Sequence, residues 1–260
     1  MPEHKRDDPG ARVRRAGRAA RPTRRCLAGV LLAILATTAA RAAECPAPPE
    51  QHLPQAASPL NIDDVKQLLR AYHRDHYGED MTAVFASAQA YVERRAVEVE
   101  KPAVVLDIDE TSLSNWQNLD LDDFGFIAKG PCPKRPGFAC GFASYVASES
   151  SEPIDPARKF FDAVRGKHVA VFFVTGRRDR QRRATIVNLR RAGFRGWTQL
   201  ATRPDDDKAP SIVPFKSGER AKIVKQGYTV IATIGDQNSD LAGGSAECGF
   251  KLPNPFYFIP

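Results

Sequence analysis

Short apolar runs alternate with amphipathic stretches along the chain from residue 101 onward. AVVLDID, HVAVFFVTGR, WTQLATRP and YTVIATIGDQ have the composition of buried strands, whereas PARKFFDAVRG, DRQRRATIVNLRRAGF and ERAKIVKQG have the apolar spacing of helices. Strands that alternate with helices predict a parallel sheet covered by helices on both faces. The expected fold class is therefore α/β.

Two more helices are predicted before this region. NIDDVKQLLRAYHRDHY opens with Asn61 as an N-cap and repeats apolar residues at helical spacing, and MTAVFASAQAYVERRAVEVE gives a second helix. Residues 44–60 are rich in proline and lack periodicity, which predicts an extended arm. We expect residues 61–100 to form a helical extension that packs beside a core formed by residues 101–260.

Polar sequences follow the central predicted strands. DIDET ends the first strand, TGR the second and GDQNSD the last, and a predicted loop at residues 215–220, FKSGER, lies between the last two. Ligands of parallel sheets bind beyond the carboxyl ends of the strands, so these residues are expected to converge. Converging carboxylates repel one another unless a cation balances them. Oxygen ligands with room for water and a phosphate oxygen suit Mg²⁺ better than zinc.

The first 43 residues resemble a secretory signal. They hold ten of the 38 basic residues and only three of the 31 acidic ones, so the net charge of +7 belongs to this segment and the remainder is balanced. An apolar run at residues 27–40 is followed by small residues, which predicts cleavage after Ala42 or Ala43. An uncleaved anchor is the alternative, but the run is shorter than the roughly 20 residues of a spanning helix. TRRCL also resembles a twin-arginine signal, so the export route stays open.

Four cysteines remain after the predicted cleavage, which is consistent with export to an oxidising compartment. Cys45, Cys132, Cys140 and Cys248 allow three pairings, of which a local Cys132–Cys140 bridge is favoured by proximity and would leave Cys45 for Cys248. A zinc site is the alternative, but no Cys-x-x-Cys pair supports it. The five histidines, including His73 and His168, show no ligand spacing and are interpreted as structural.

Residues 112–153 are too many for a simple crossover and are predicted to form a cap beside the site. Trp116 is the best candidate in it for substrate contact, because it lies only five residues past Thr111. The cap also contains other aromatic residues, for which the alternative to substrate contact is that they form the small core of the cap itself: Phe124, Phe126, Phe138, Phe142 and Tyr145.

DIDET, VTGR, the lysine of FKSGER and GDQNSDL, in this order, resemble the four motifs of the haloacid dehalogenase superfamily. VVLDIDETSLSN and the closing KLPNPFYFIP resemble its exported acid phosphatase branch, which includes class B and class C acid phosphatases and plant vegetative storage proteins. The resemblance covers roughly residues 60–260. It implies a doubly wound, Rossmann-like core with a small cap insertion.

The resemblance also implies roles for individual residues. Asp107 would be the nucleophile that forms an aspartyl-phosphate, and Asp109 the acid that protonates the leaving oxygen and then activates water. The implied Mg²⁺ ligands are Asp107, Asp109 through its carbonyl, Asp236 and Asp240. Taken alone, Asp236 and Asp240 could equally belong to a turn and a helix N-cap.

Other residues would bind the phosphoryl group or the substrate. Thr175 would donate a hydrogen bond to a phosphoryl oxygen and Lys216 would neutralise its charge, although alone they could be a turn residue and a solvated lysine. Thr111, Gly176 and Trp116 are further candidates for substrate binding. Arg177 could contact the substrate phosphate or pair with a motif carboxylate.

These implications favour an exported, magnesium-dependent acid phosphatase that acts on small phosphomonoesters. A phosphotransferase to alcohol acceptors and a non-catalytic storage or binding protein are the alternatives, and the presence of Asp107 counts against the last. The expected partner is a small-molecule phosphomonoester, with no nucleic acid polymer and no stable membrane anchor. The oligomeric state stays open.

Overall fold

The computed structural model of the protein describes residues 44–55, 60–130 and 141–259. The predicted export segment at residues 1–43, the predicted local pair Cys132 and Cys140, and Phe138 of the cap lie outside these residues. Within the described part of the chain, no helix combines the length and the apolar character that crossing a membrane requires.

Five parallel strands form one sheet at the centre of the molecule. The strands are β1 (Pro102–Leu106), β2 (Ala170–Arg178), β3 (Gln199–Arg203), β4 (Thr229–Gly235) and β5 (Cys248–Lys251). Their order in the sheet is β3-β2-β1-β4-β5, and every neighbouring pair is parallel. The predicted α/β class is confirmed, whereas β5, a four-residue edge strand, was not predicted.

Eight α-helices surround the sheet. They are α1 (Ile62–Asp75), α2 (Tyr77–Arg95), α3 (Trp116–Leu121), α4 (Phe142–Ser148), α5 (Asp155–Gly166), α6 (Arg182–Arg191), α7 (Val213–Lys225) and α8 (Asn238–Leu241) among the described residues. The α1 helix begins as predicted, because the side chain of Asn61 accepts a hydrogen bond from the Asp64 backbone amide. The predicted long helix after β2 starts with a 3₁₀ turn, Asp179–Gln181, before α6.

Alternate residues of the strands pack on opposite faces of the sheet. Val104 and Leu106 face one core, whereas Val105 faces the other, as the two-residue period of a strand requires. The larger core also contains α2, which packs against α5 with the rings of Phe85 and Phe160 5.5 Å apart. The N-terminal helices therefore share the core of the sheet.

The prediction of a loop at residues 215–220 is wrong, because this segment lies in the first turns of α7. Ser217 and Gly218 suggested a loop, but Pro214 in the first turn has the backbone angle of a helix start. Gly218 is tolerated within the helix, where it has open space around it. Lys216 consequently projects from a rigid helix.

A disulfide joins Cys45 of the arm to Cys248 of β5, with the two Cα atoms 5.7 Å apart and a sequence separation of 203. This is the pairing that a local Cys132–Cys140 bridge would leave. A bond across so long a loop restricts the unfolded chain strongly. The arm is thereby attached to the edge of the sheet.

We predict that Cys45→Ser lowers the free energy of unfolding by about 2–5 kcal/mol, because the unfolded chain regains the entropy of the open loop. Urea unfolding of the oxidised protein measures this change. Cys248→Ser and the double variant should lose at least as much, since they break the same bond and also place a serine hydroxyl at the buried position of Cys248. Equal midpoints for wild type and variants would contradict the prediction.

Candidate active site

Three buried carboxylates meet at the carboxyl ends of the two central strands. Asp107 follows β1, Asp236 follows β4, and Asp240 lies in α8 immediately beyond it. Leu106 and Ile234 are paired across β1 and β4, so the residues that follow them emerge side by side. One oxygen from each of the three carboxylates lies within 4.8 Å of the other two. The predicted convergence of these acids is therefore present.

Lys216 brings a buried positive charge to these carboxylates. Its Nζ donates a hydrogen bond to Asp107 Oδ1 at 2.8 Å and also pairs with Asp240 Oδ1. Burial alone would lower the pKa of Lys216, but Asp107 and Asp240 outweigh burial and raise it above its ordinary value. The lysine is therefore charged, and one ammonium faces three carboxylates.

The excess of negative charge gives this cluster the character of a cation site. Burial raises the pKa of Asp107 well above its ordinary value; Lys216 opposes the rise, and the neighbouring carboxylates add to it. A divalent cation would remove this repulsion. The three carboxylates offer hard oxygen ligands, so the residues present fit Mg²⁺.

Hydrogen bonds from three sides fix the orientation of Asp236. Gln237 Nε2 and Asn254 Nδ2 each donate to Asp236 Oδ2 at 2.6 Å, and Thr111 Oγ1 donates to Oδ1 at 3.2 Å. Burial raises the pKa of Asp236 to about 6, with Asp240 adding to the rise and Asn254 opposing it. Thr111 therefore contacts a candidate metal ligand. Asn254 and Gln237 were not identified from the sequence, although NPF after the last strand marks a turn.

Arg177 and Asn115 hold the side chain of Asp109. The guanidinium of Arg177 donates to Asp109 from Nε at 3.0 Å and from Nη2 at 2.8 Å, and Asn115 Nδ2 donates at 2.9 Å. Arg177 is 1% exposed. The sequence left two roles open for Arg177. These contacts pair it with Asp109, one of the motif carboxylates. Asn115 ends the VVLDIDETSLSN segment, but no role was predicted for it.

Thr175 and Gly176 lie inside β2, which continues to Arg178, and not in a turn after it. The pairing of β2 with β3 shifts its register between Thr175 and Arg178, so the backbone is irregular at these residues. The Thr175 hydroxyl accepts a hydrogen bond from the Arg177 amide at 3.1 Å. A Cβ on Gly176 would lie 2.8 Å from Cδ1 at the end of the Ile212 side chain, which would have to move to make room.

Glu110 has a structural environment that explains why a third acid follows β1. It is fully buried and accepts hydrogen bonds from Tyr77 Oη at 3.0 Å and from the Asn115 amide. Burial raises the pKa of Glu110 to about 8, although the bond from Asn115 opposes the rise. Glu110 thus links the turn after β1 to α2.

Arg220 of α7 holds the turn that follows α8. Its guanidinium donates to the carbonyls of Asp240 at 2.7 Å and Gly244 at 2.9 Å, and also to Ala242. One α7 helix thus supplies both Lys216 to the carboxylates and Arg220 to the backbone that carries one of them. This role of Arg220 was not predicted, since an arginine in a helix is most often solvated.

Trp116 packs on α1 at the wall of a cavity. Its ring stacks on His73 with centroids 3.6 Å apart and contacts Phe256 at 5.2 Å. The cavity has a volume of about 580 Å³ and is also lined by Tyr77 and Tyr145. Trp116 is therefore partly buried in aromatic contacts.

Comparison with known proteins identifies a matching family model and several relatives. The family model described as HAD superfamily, subfamily IIIB (Acid phosphatase), matches residues 39–260. Acid phosphatase 1 of Solanum lycopersicum is 33% identical over 156 residues, covering 60% of this chain and 58% of that protein, less than two thirds of its length.

Other relatives cover more of the chain. Stem 28 kDa glycoprotein of Glycine max is 30% identical over 197 residues, 72% of this chain and 71% of the relative. Vegetative storage protein 1 of Arabidopsis thaliana is 27% identical over 209 residues, 77% and 74% of the two chains. The class C acid phosphatase from Bacillus anthracis has a similar fold, with a TM-score of 0.58 at 21% identity. The match covers 76% of this chain and 86% of that chain.

Gly235→Ala is predicted to disrupt the carboxylate cluster, because a Cβ at Gly235 would overlap the Asp240 side chain. We expect a loss of about 1–3 kcal/mol or more in the free energy of unfolding, measured by denaturant titration. Gly218→Ala is the control: it meets nothing within 4 Å and lies in α7, so it should be neutral or stabilising by about 0.5–1 kcal/mol. Equal stability of the two variants would contradict the prediction.

His73 is predicted to make the protein less stable in acid. Burial lowers its pKa from 6.5 to about 4, so the unfolded chain binds the proton more readily and stability falls as the pH falls through this range. When the pH falls from neutral to 5, the free energy of unfolding of His73→Gln should decrease by roughly 1–2 kcal/mol less than that of wild type. Urea midpoints at the two pH values measure this difference. The exposed control His168→Asn should follow wild type, and identical pH dependence in His73→Gln would refute the assignment.

Proposed function

This chain belongs to the acid phosphatases of HAD superfamily subfamily IIIB, and from that premise we propose that it is an exported, magnesium-dependent phosphatase of small phosphomonoesters. The observation that carries the proposal is the meeting of Asp107, Lys216, Asp236 and Asp240 at the carboxyl ends of β1 and β4. The combination provides a nucleophilic carboxylate, a fixed positive charge and hard oxygen ligands for a metal.

Mg²⁺ is the metal that we propose for this site. Asp107, Asp236 and Asp240 would hold it through carboxylate oxygens, and Asp109 through its backbone carbonyl. When bound, the ion supplies positive charge that offsets the clustered carboxylates and the charge of a phosphoryl group. Gln237, Asn254 and Thr111 would keep Asp236 in one orientation before and after binding.

Asp107 is the proposed nucleophile. Its carboxylate oxygen attacks phosphorus, a bond forms between them, and the bond from phosphorus to the leaving oxygen breaks. Lys216, 2.8 Å from Asp107 Oδ1, favours the ionised form and balances charge on the transferring group. A carboxylate needs no separate base for this step, because it is ionised once its charge is compensated.

Asp109 is the proposed acid and base. It gives its proton to the leaving oxygen; afterwards it takes a proton from water, whose oxygen attacks the phosphorus of the aspartyl-phosphate and frees Asp107 and inorganic phosphate. Arg177 and Asn115 would act on this step by positioning Asp109, whose side chain is 16% exposed and thus within reach of substrate. Arg177 is then a positioning residue.

Binding of the phosphoryl group is assigned to Thr175 and the backbone near Gly176. The irregular register of β2 at these residues can direct a hydroxyl and amide groups toward the strand end. Trp116 remains our candidate for contact with the organic part of the substrate, because it directly follows Asn115, whose side chain donates to the proposed acid and base Asp109.

Export is proposed from two features. The first 43 residues have the order basic, apolar, small that precedes cleavage of a secretory signal. The Cys45–Cys248 disulfide is typical of proteins in oxidising compartments, such as the periplasm or the extracellular space.

Asp107→Asn is predicted to lower the rate of para-nitrophenyl phosphate hydrolysis at least roughly 10³-fold, because the amide cannot form the phosphoenzyme. Turnover should require Mg²⁺, and excess chelator should remove it in wild type. The matched control is Asp206→Asn, an exposed aspartate on the surface, which should retain wild-type rates.

The same assay separates the alternatives. Turnover that persists in Asp107→Asn or in excess chelator would contradict the proposed mechanism. Addition of an alcohol acceptor distinguishes hydrolysis from transfer, since a phosphotransferase would form a phosphorylated alcohol. A folded, oxidised protein with no turnover at any pH would favour the storage function that the plant relatives' names carry.

A further inference from the structure

A second group of potential metal ligands lies far along the chain from the motif acids. His52 belongs to the arm, His76 connects α1 to α2, and Glu79 lies in the first turn of α2. One ring nitrogen of each histidine and one carboxylate oxygen of Glu79 lie within 4.8 Å of one another. This group was not predicted, because 23 residues separate the two histidines and they meet only when the arm is folded back.

The three side chains are exposed and can adjust their positions. The imidazole rings stack with centroids 5.1 Å apart and an angle of 18° between their planes. Ligand atoms on a tetrahedral zinc ion, at about 2.0–2.1 Å from the metal, lie closer together than 4.8 Å. Small rotations of exposed side chains would bring them to this spacing, since no core packing opposes such movement.

Asp80 supplies an independent observation that points to a metal. This carboxylate is 1% exposed and faces His52, whose Nδ1 lies 2.8 Å from Asp80 Oδ1. Asp80 also accepts hydrogen bonds from the His52 amide at 2.8 Å and from Tyr72 Oη at 2.9 Å. A carboxylate has no proton to give, so the Nδ1–H of His52 is the donor.

This hydrogen bond determines which nitrogen of His52 can bind a metal. With the proton on Nδ1, the lone pair of neutral imidazole is on Nε2. Histidine ligands of zinc commonly donate their other ring N–H to a carboxylate, which fixes the tautomer and the ring orientation. Asp80 therefore prepares His52 as a ligand.

We propose that His52, His76 and Glu79 bind a transition-metal ion of the Zn²⁺ class that fastens the arm to the helices. Two imidazoles and one carboxylate suit Zn²⁺ and its neighbours better than Mg²⁺, and the fourth position would be left to water. The ion would join an arm residue to the start of α2, as the disulfide joins Cys45 to β5. The arm would then be fixed at Cys45 by the disulfide and at His52 by the metal.

The test is calorimetric titration of Zn²⁺ into the oxidised protein in excess Mg²⁺, which is added to compete with Zn²⁺ for the carboxylates of the candidate active site. His76→Gln and Glu79→Gln should each weaken the zinc affinity at least roughly 10-fold, because each removes a ligand. His168→Asn is the matched control; it changes an exposed histidine outside the group and should leave the affinity unchanged. Unchanged affinity in His76→Gln and Glu79→Gln would overturn the proposal.

Asp80→Asn tests the role of the tautomer. An asparagine amide facing His52 Nδ1 would donate to it, moving the ring proton to Nε2 and blocking the proposed ligand atom. Zinc affinity should fall roughly 10–100-fold. Tyr72→Phe removes a different hydrogen bond of Asp80 and keeps its charge, so it should have a much smaller effect. Equal zinc affinity in Asp80→Asn and wild type would contradict the mechanism.

Two further measurements distinguish a built site from loose surface binding. Co²⁺ in place of Zn²⁺ should give the visible absorption of a four-coordinate ion in wild type, and His76→Gln should lose it. Zn²⁺ should also slow hydrogen exchange of the His52 amide in wild type and leave it unchanged in His76→Gln. Absence of both effects would overturn the proposal. Phosphatase activity with Mg²⁺ should be unaffected by His76→Gln, which separates this inference from the proposed function.

Discussion

The contact of Lys216 with two aspartates is the interaction on which the site depends. An ammonium at the start of α7 reaches Asp107 after β1 and Asp240 in α8, so one side chain connects three elements of the chain. Without it, three carboxylates would be buried side by side with no positive charge among them. The lysine reduces this repulsion and leaves an excess of negative charge, which is the condition for binding a divalent cation.

The sheet topology makes this meeting possible. β1 lies in the centre, with β2 on one side and β4 on the other, so the residues that follow all three emerge at one edge. Asp109 comes from β1 and is held by Arg177 of β2, while Asp236 and Asp240 come from the other side. The cluster thus has two halves that meet at β1: the Asp109–Arg177 pair on the side of β2, and the three clustered carboxylates on the side of β4.

The sequence predicted what depends on local pattern. Alternating apolar strands and amphipathic helices gave the α/β class, Asn61 gave the start of α1, and polar residues at strand ends gave Asp107, Asp236 and Asp240 as one group. What it missed depends on contacts between distant residues. Asn254 orients Asp236, and Arg220 holds the carbonyls at the end of α8. Glu110 is buried against Tyr77. No local pattern predicts these contacts, because each joins residues that are far apart in the sequence.

The segment after β5 orients one of the three clustered carboxylates. Asn254 contacts Asp236, and the amide of Ile259 donates to the Gln237 side chain, which itself contacts Asp236. A carboxylate that follows a central strand is therefore held by residues that lie outside the sheet. Displacement of this segment, by a fusion or by a bound partner, would release Asp236 from these contacts without disturbing any strand of the sheet.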